Sequence, residues 1–327
     1  MEFGPVPLSQ ALGAILAHSV PLAKGRLRKG KLLDAQDIAL LAAEGLAQIT
    51  VARPAPDDVA EDAAALALAQ AVAGPGLDLR IMGTGRVNLH AAGPGLVRVD
   101  RARVDALNTS DPMITLATLP EWARIDAAAM IATVKIIAYA VPQEALSRAC
   151  AAGQGALSLA EPVLRRAVLI QTRVDDDDGE KGHRVIGARL RRLGVQLAPK
   201  VLVAHQPPPL AQALRLACAE ADLVMILTGS ATSDARDVAP EALRVAGGEV
   251  AHFGMPVDPG NLLFLGALGP CPVVGLPGCA RSPALNGADF VLERLICGVP
   301  VTGRDIMAMG VGGLLKEIPT RPQPRQG

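Results

Sequence analysis

Three loops, two of glycine with small hydroxyl residues and one of proline and glycine, hold the side chains that could do chemistry. The first, Thr228-Gly229-Ser230-Ala231-Thr232-Ser233-Asp234-Ala235-Arg236-Asp237, follows an apolar run and precedes a helical one. Glycine among small hydroxyl residues lets the backbone approach an anion, and N–H groups at a helix start donate to it. Asp234 or Asp237 could hold a divalent cation or orient water. The plainer alternative makes Asp237 a helix cap. The second loop, Val274-Gly275-Leu276-Pro277-Gly278-Cys279-Ala280-Arg281-Ser282, repeats the arrangement. Gly278 permits close approach, Ser282 can donate a hydroxyl, and Arg281 could pair bidentately with phosphate. No GKS/T follows, so this is not a Walker loop. Cys279 could have a depressed pKa beside a helix start, although no histidine neighbours it in sequence. The third loop, Gly254–Asn261, is stiffened by proline and offers Asp258 and Asn261, which equally suit turn chemistry. Asp175–Asp178 adds four carboxylates, as a solvated loop or a metal-binding run. On the residues alone, this is an anion-binding α/β domain with carboxylates nearby.

The elements that must position these loops alternate. Ala167–Val174 is a strand, and Val185, Ile186, Ala188, Leu190 and Leu193 then recur at helical spacing up to a Gly194 stop. Val195–His205 supplies a second strand, Pro207–Ala221 a helix and Asp222–Thr228 a third strand. A helix through Pro240–Ala246 precedes short strands near Glu249–Phe253 and Pro272–Leu276. Ser282-Pro283 is a start signal for a helix through Ile296. This alternation predicts βαβ units and a parallel sheet covered on both faces. Ligands of such sheets sit at the carboxyl ends of the strands, which points to the loops after Val174, Thr228 and Leu276.

The N-terminal half has a different texture. Helices are expected at Leu33–Gly45 and Asp57–Ala73, and strands at Leu96–Val99, Ile114–Leu119 and Thr133–Val141. A boundary near Gly153–Pro162 divides the chain into residues 1–160, of one or two subdomains, and residues 163–300. Residues 301–327 are expected to be an extended tail, rich in Pro and Arg from Pro319 on.

Composition removes several classes. The 327 residues carry 32 Lys+Arg against 32 Asp+Glu, without the basic footprint of a duplex binder. Trp122, Tyr139 and four Phe make up the aromatic share of 2%, too few to stack single-stranded nucleic acid. Lys135 interrupts Ile125–Val141, the best candidate for a membrane span, so no span is expected. No signal peptide is read at the start. The five cysteines form no CxxC and the histidines show no zinc spacing, consistent with a reduced, cytoplasmic chain.

Taken in order, TGS…Asp237, GMPVDPG and GLPGCARS resemble the molybdopterin-binding domain of the molybdopterin molybdotransferases, the gephyrin-like family. Leu16–Val51 resembles that family's opening segment, so the likeness spans most of residues 8–300. The family's S/T-G-G-x-S-x-G-x-x-D loop falls on Thr228, Gly229, Ser230, Thr232 and Asp237, with Ser230 and Asp234 replacing its second and third glycines. Its K-P-G-K-P turn falls on Asp258-Pro259-Gly260-Asn261-Leu262, without either lysine. Its G-L-P-G-N-P-V-S loop falls on Gly275–Ser282, with Cys279-Ala280-Arg281 in place of Asn-Pro-Val. Of its T-G-D-E-L, Thr172 remains.

The resemblance implies a three-layer α/β/α molybdopterin-binding domain behind a mixed α+β, β-rich N-terminal arm. It implies a divergent member without the family's C-terminal domain, since 29 residues follow Gly298. Thr228, Gly229, Ser230, Thr232, Gly260, Pro277, Gly278, Arg281 and Ser282 become the expected molybdopterin-binding residues. Asp237 becomes the expected catalytic residue and, with Asp234, a Mg2+ ligand. The implied role is molybdenum cofactor biosynthesis as a transferase, inserting molybdate into adenylylated molybdopterin. The alternative is a non-catalytic carrier or docking module serving a cofactor nucleotidyltransferase or a molybdoenzyme. A homodimer through the N-terminal arm is expected, with neither nucleic acid nor membrane as partner.

Overall fold

Alternate positions of the strand Gln48–Arg53 bury Ile49 and Val51, and Glu2–Pro7 and Ile15–Leu16 pair antiparallel on its two sides. The helix Ala35–Ala43 closes this small core through Leu41. Asp34 starts that helix: its carboxylate accepts the Gln36 and Asp37 N–H groups, and its own N–H donates to the Asp37 carboxylate. A reciprocal cap of this kind satisfies donors that the first turn cannot. A second core lies on a four-stranded antiparallel sheet ordered Ile114–Thr118, Met130–Ile136, Arg86–Ala91, Leu77–Ile81. The Glu61–Val72 helix approaches it closely because Ala64, Ala65 and Ala69 are the small residues on its buried face.

Two helices here went unread in the sequence, Arg101–Asn108 and Gln143–Gly153. Arg101–Asn108 buries Leu107 as its one anchor, which leaves no periodic signal. The expected Thr133–Val141 strand is broken into Met130–Ile136 and Ala140–Pro142. Between them the Tyr139 hydroxyl donates to the Ala17 carbonyl at 2.8 Å.

The computed structural model describes residues 1–174, 176–258 and 260–315. Asp175 of the acidic run, Pro259 and the Pro319–Gly327 tail lie outside the described residues. The chain forms two compact units, Met1–Gly93 with Val97–Leu159, and Pro94–Leu96 with Ala160–Gly327.

The second unit is built on β1 (Arg166–Arg173), β2 (Gln196–Leu197), β3 (Val201–Ala204), β4 (Leu223–Leu227), β5 (Glu249–Met255), β6 (Asn261–Leu268) and β7 (Cys271–Leu276). Its helices are α1 (Glu180–Arg191), α2 (Pro207–Glu220), α3 (Val238–Val245), α4 (Gly287–Ile296) and α5 (Gly303–Met307). The sheet runs β2-β1-β4-β7-β6-β5, with β3 also paired to β1. β1 is parallel to β2, β3 and β4, and β4 is parallel to β7. The β7–β6 and β6–β5 pairs are antiparallel, so the sheet is mixed rather than wholly parallel. Strand β6 escaped the sequence reading because the Pro/Gly loop before it drew attention from the apolar run NLLFLGAL.

Both faces of the sheet are covered, giving three layers. Val168, Ile170, Val224, Ile226, Val273 and Phe264 face Leu210 and Leu214 of α2 and Leu243 of α3. Phe264 pairs with Gly275 across the β6–β7 ladder, where a Cβ would stand 2.0 Å from its ring. Gly275 is therefore a packing glycine. On the opposite face α1 lies over Gln171 and Leu227, joined to α4 by the Arg189–Asp289 ion pair.

Three boundaries differ from expectation. The helix read from Ser282-Pro283 begins at Gly287, behind a single 3-10 turn over Gly278–Arg281. Asn286 caps it with its side chain on the Ala288 N–H, reciprocated by Asp289. The Val195–His205 segment is two short strands, β2 and β3, interrupted around Pro199. Residues expected to open an extended tail instead form α5, which Thr302 caps through the Asp305 N–H.

Candidate functional site

The carboxyl ends of β1, β4 and β7 are neighbours in the sheet, and the first two candidate loops leave from the last two of them. Thr172, buried near the end of β1, accepts the Gly229 N–H on Oγ1 at 3.0 Å. The same oxygen lies 2.8 Å from Nδ1 of His205, just beyond β3. A Cβ on Gly229 would fall 2.8 Å from the Thr172 carbonyl oxygen, so the loop can lie this close only with glycine there. Thr228 and Thr232, both buried, face each other through their hydroxyls at 3.3 Å.

Arg281 ties the second loop to the first. Its Nη2 donates to the Thr228 carbonyl at 2.7 Å. The loop that carries it is clamped from behind by Arg189 of α1, which sequence reasoning missed. Arg189 Nε donates to Asp289 at 2.6 Å, Nη1 to the Ala280 carbonyl, and Nη2 to the carbonyls of Ser282 and Ala284. Both charged side chains are about nine-tenths buried, at 10% and 9% exposure. Every donor direction of a planar guanidinium fork suits such a task, which an ammonium could not perform.

Asn261 attaches the third loop. Its Oδ1 accepts the Leu263 N–H, and its Nδ2 lies 3.4 Å from Asn286 Oδ1. Asn286 Nδ2 in turn points at the Cys279 sulfur at 2.9 Å. Asn261 thus stands buried where the resemblance had a lysine. The Asn286-x-x-Asp289 spacing was a legible capping signal that the Ser282-Pro283 pair overshadowed.

The remaining expected residues line or support the rim. Gly229, Ser230, Gly278 and Cys279 are exposed. A Cβ at Gly278 would meet nothing nearer than Arg281 Nη1 at 3.8 Å, so the space before it is open. Pro277 is buried and its carbonyl accepts the Ala280 N–H, forming the 3-10 turn. Ser282 does not cap a helix; its hydroxyl accepts the Ala284 N–H at 3.3 Å. Gly260 lies exposed in the turn before β6, with φ +82°.

Asp237 and Asp234, expected to hold Mg2+, are engaged otherwise. Asp237 caps α3, accepting the Val238 N–H on one oxygen and the Ser233 N–H on the other. Asp234 accepts the Arg236 N–H and Nε on one oxygen. Those bonds, first that from the backbone, hold its carboxyl below the usual carboxylate range. Among the described residues no three His, Cys, Asp or Glu groups are placed to hold a metal ion. Both carboxylates thus hold donors of their own loop and helix start. What the edge offers is accessible backbone of small residues beside a guanidinium, the makings of an oxyanion site.

No helix among the described residues is long and apolar enough to cross a membrane. Comparison with known proteins bears on the same segment as the site. Residues 173–296 match the family described as "Probable molybdopterin binding domain", and residues 5–53 match the "Domain of unknown function (DUF8806)". No curated protein matches the chain. Among solved structures, the molybdopterin biosynthesis moea protein from Pyrococcus horikosii is similar at 15% identity, over 93% of this chain and 75% of that one, with a TM-score of 0.30. Molybdenum cofactor biosynthesis protein B is similar at 16% identity, over 41% of this chain and 88% of that one, with a TM-score of 0.30. A molybdenum cofactor biosynthesis protein from Pyrococcus furiosus is similar at 15% identity, over 91% and 65%, with a TM-score of 0.25. The stretch matched to the family described as "Probable molybdopterin binding domain", residues 173–296, carries all three loops.

Proposed function

We propose that this chain binds molybdopterin at the carboxyl edge of β1, β4 and β7 and serves molybdenum cofactor biosynthesis as a carrier. The observation behind it is that the family match covers the loops that Arg281 and Thr172 draw together. The ligand's phosphate would lie along Gly229, Ser230 and Gly278, with Arg281 neutralising part of its charge. The engaged carboxylate of Asp237 and the buried Asn261 in place of lysine favour delivery over insertion of molybdate. Delivery implies a receiving protein, for which a cofactor nucleotidyltransferase or a molybdoenzyme is the proposed class. A cytoplasmic homodimer formed through the N-terminal half belongs to the same proposal.

The test is to titrate the full chain with molybdopterin, then incubate it with adenylylated molybdopterin and molybdate. Saturable binding of molybdopterin without release of AMP is the expected result. Absence of binding refutes the reading. Molybdate-dependent AMP release replaces the carrier with the transferase.

A further inference from the structure

His205 is a group that neither the resemblance nor the sequence reading used. Its backbone is fixed at the end of β3, where its N–H donates to the Arg173 carbonyl at 3.1 Å. Its Nδ1 lies 2.8 Å from Thr172 Oγ1, which already accepts the Gly229 N–H. Thr172 is 4% exposed, so its single hydroxyl hydrogen needs an acceptor within the protein. Among the described residues Nδ1 is the acceptor within reach. The hydroxyl therefore donates to Nδ1, and a neutral imidazole must then carry its own hydrogen on Nε2.

We propose that Thr172 locks His205 in the Nε2–H form, and that this N–H is a ligand-contacting donor of the anion site, directed to an oxyanion of a phosphate-bearing ligand. The inference rests on the reading of the carboxyl edge as the ligand site. Thr172 then has two tasks through one oxygen: it accepts from Gly229, fixing the loop, and donates to His205, fixing the tautomer. The site gains an N–H donor on the β3 side, across the Gly229 loop from Arg281.

The full chain, labelled with 15N in histidine and glycine, tests this at neutral pH with inorganic phosphate as the probe. A His205→Gln sample identifies the His205 resonances among those of the five histidines. In the phosphate-free protein His205 should show a protonated Nε2 and a bare Nδ1. Added phosphate should shift Nε2 together with the amides of Gly229 and Gly278. His205→Ala should lower phosphate affinity about tenfold, the loss of one hydrogen bond to a charged group. Thr172→Val should release the tautomer to a mixture, and Thr172→Ser should restore the single form. A protonated Nδ1 in the phosphate-free wild type overturns the proposal. A response of the Gly229 and Gly278 amides without His205 overturns it while sparing the site. No response from any of the three overturns both.

Discussion

Arg281 Nη2 and the Thr228 carbonyl oxygen stand 2.7 Å apart, joining two loops that are 53 residues apart in the chain. The bond works because β4 and β7 are parallel neighbours, so their carboxyl ends present both loops at one edge. A guanidinium held this way keeps further N–H groups for a ligand while it fixes the loop opposite.

Arg281→Ala should therefore weaken molybdopterin binding about ten- to hundredfold, equivalent to roughly 1.5–3 kcal/mol for a charge-assisted hydrogen bond. Arg281→Lys should recover part of the loss, since an ammonium cannot bond carbonyl and ligand in the same fork geometry. Equilibrium titration of each variant, with melting followed separately, is the check. Wild-type affinity in a folded Arg281→Ala chain would remove this side chain from the site.

Arg189→Ala should be the most destabilising of these changes. It leaves the Asp289 carboxylate buried and strips three carbonyls of their donor. Breaking one partner of such a pair costs about 3–5 kcal/mol. Urea unfolding should show that loss as a lower midpoint. A change under about 0.5 kcal/mol, the scale of an ordinary surface substitution, would contradict the clamp.

Asp237→Ala should cost about 1 kcal/mol as the loss of a helix cap, whereas Asp237→Ser should retain most of the stability. Molybdopterin affinity of the serine variant should stay near wild type, because the carboxylate acts on the Ser233 and Val238 N–H groups. A serine variant that melts normally yet no longer binds would give Asp237 a direct part in the site.

The C-terminal unit should lose stability in acid partly through Asp222. The N–H groups of Arg165 and Arg166 hold its carboxyl below the ordinary 3.8. The folded state thus favours the ionised form, and that stabilisation is complete above the unfolded value. It fades as pH falls through the lower folded value. Urea midpoints of the wild type should drop between about pH 5 and about pH 3, and Asp222→Asn should show a shallower drop. Equal slopes would dismiss this carboxylate as a contributor.

The loop at Thr228 was legible because it sits between a continuous apolar run and a helix start, and the loop at Gly275 because it follows another such run. Those cues are local in sequence. Arg189 was not legible as a clamp, since its partners lie 91 to 100 residues away and only the folded sheet brings α1 over that loop. His205 was hidden for the same reason, 33 residues from Thr172. Ser282-Pro283 misled because a good start signal needs room for a first turn. Here Arg189 holds the Ser282 and Ala284 carbonyls, and the helix waits for Asn286. Strand β6 was masked by the prolines and glycines before it, although Asn261–Leu268 is apolar enough for a strand paired on both sides, by β7 and β5.

Hydrogen exchange of the full chain with and without molybdopterin tests the location of the site most directly. Protection should appear in peptides covering Thr228–Asp237 and Pro277–Ser282, and at the end of β3 around His205. Binding that leaves those peptides unprotected while slowing exchange elsewhere, for instance in Leu16–Val51, would contradict the account.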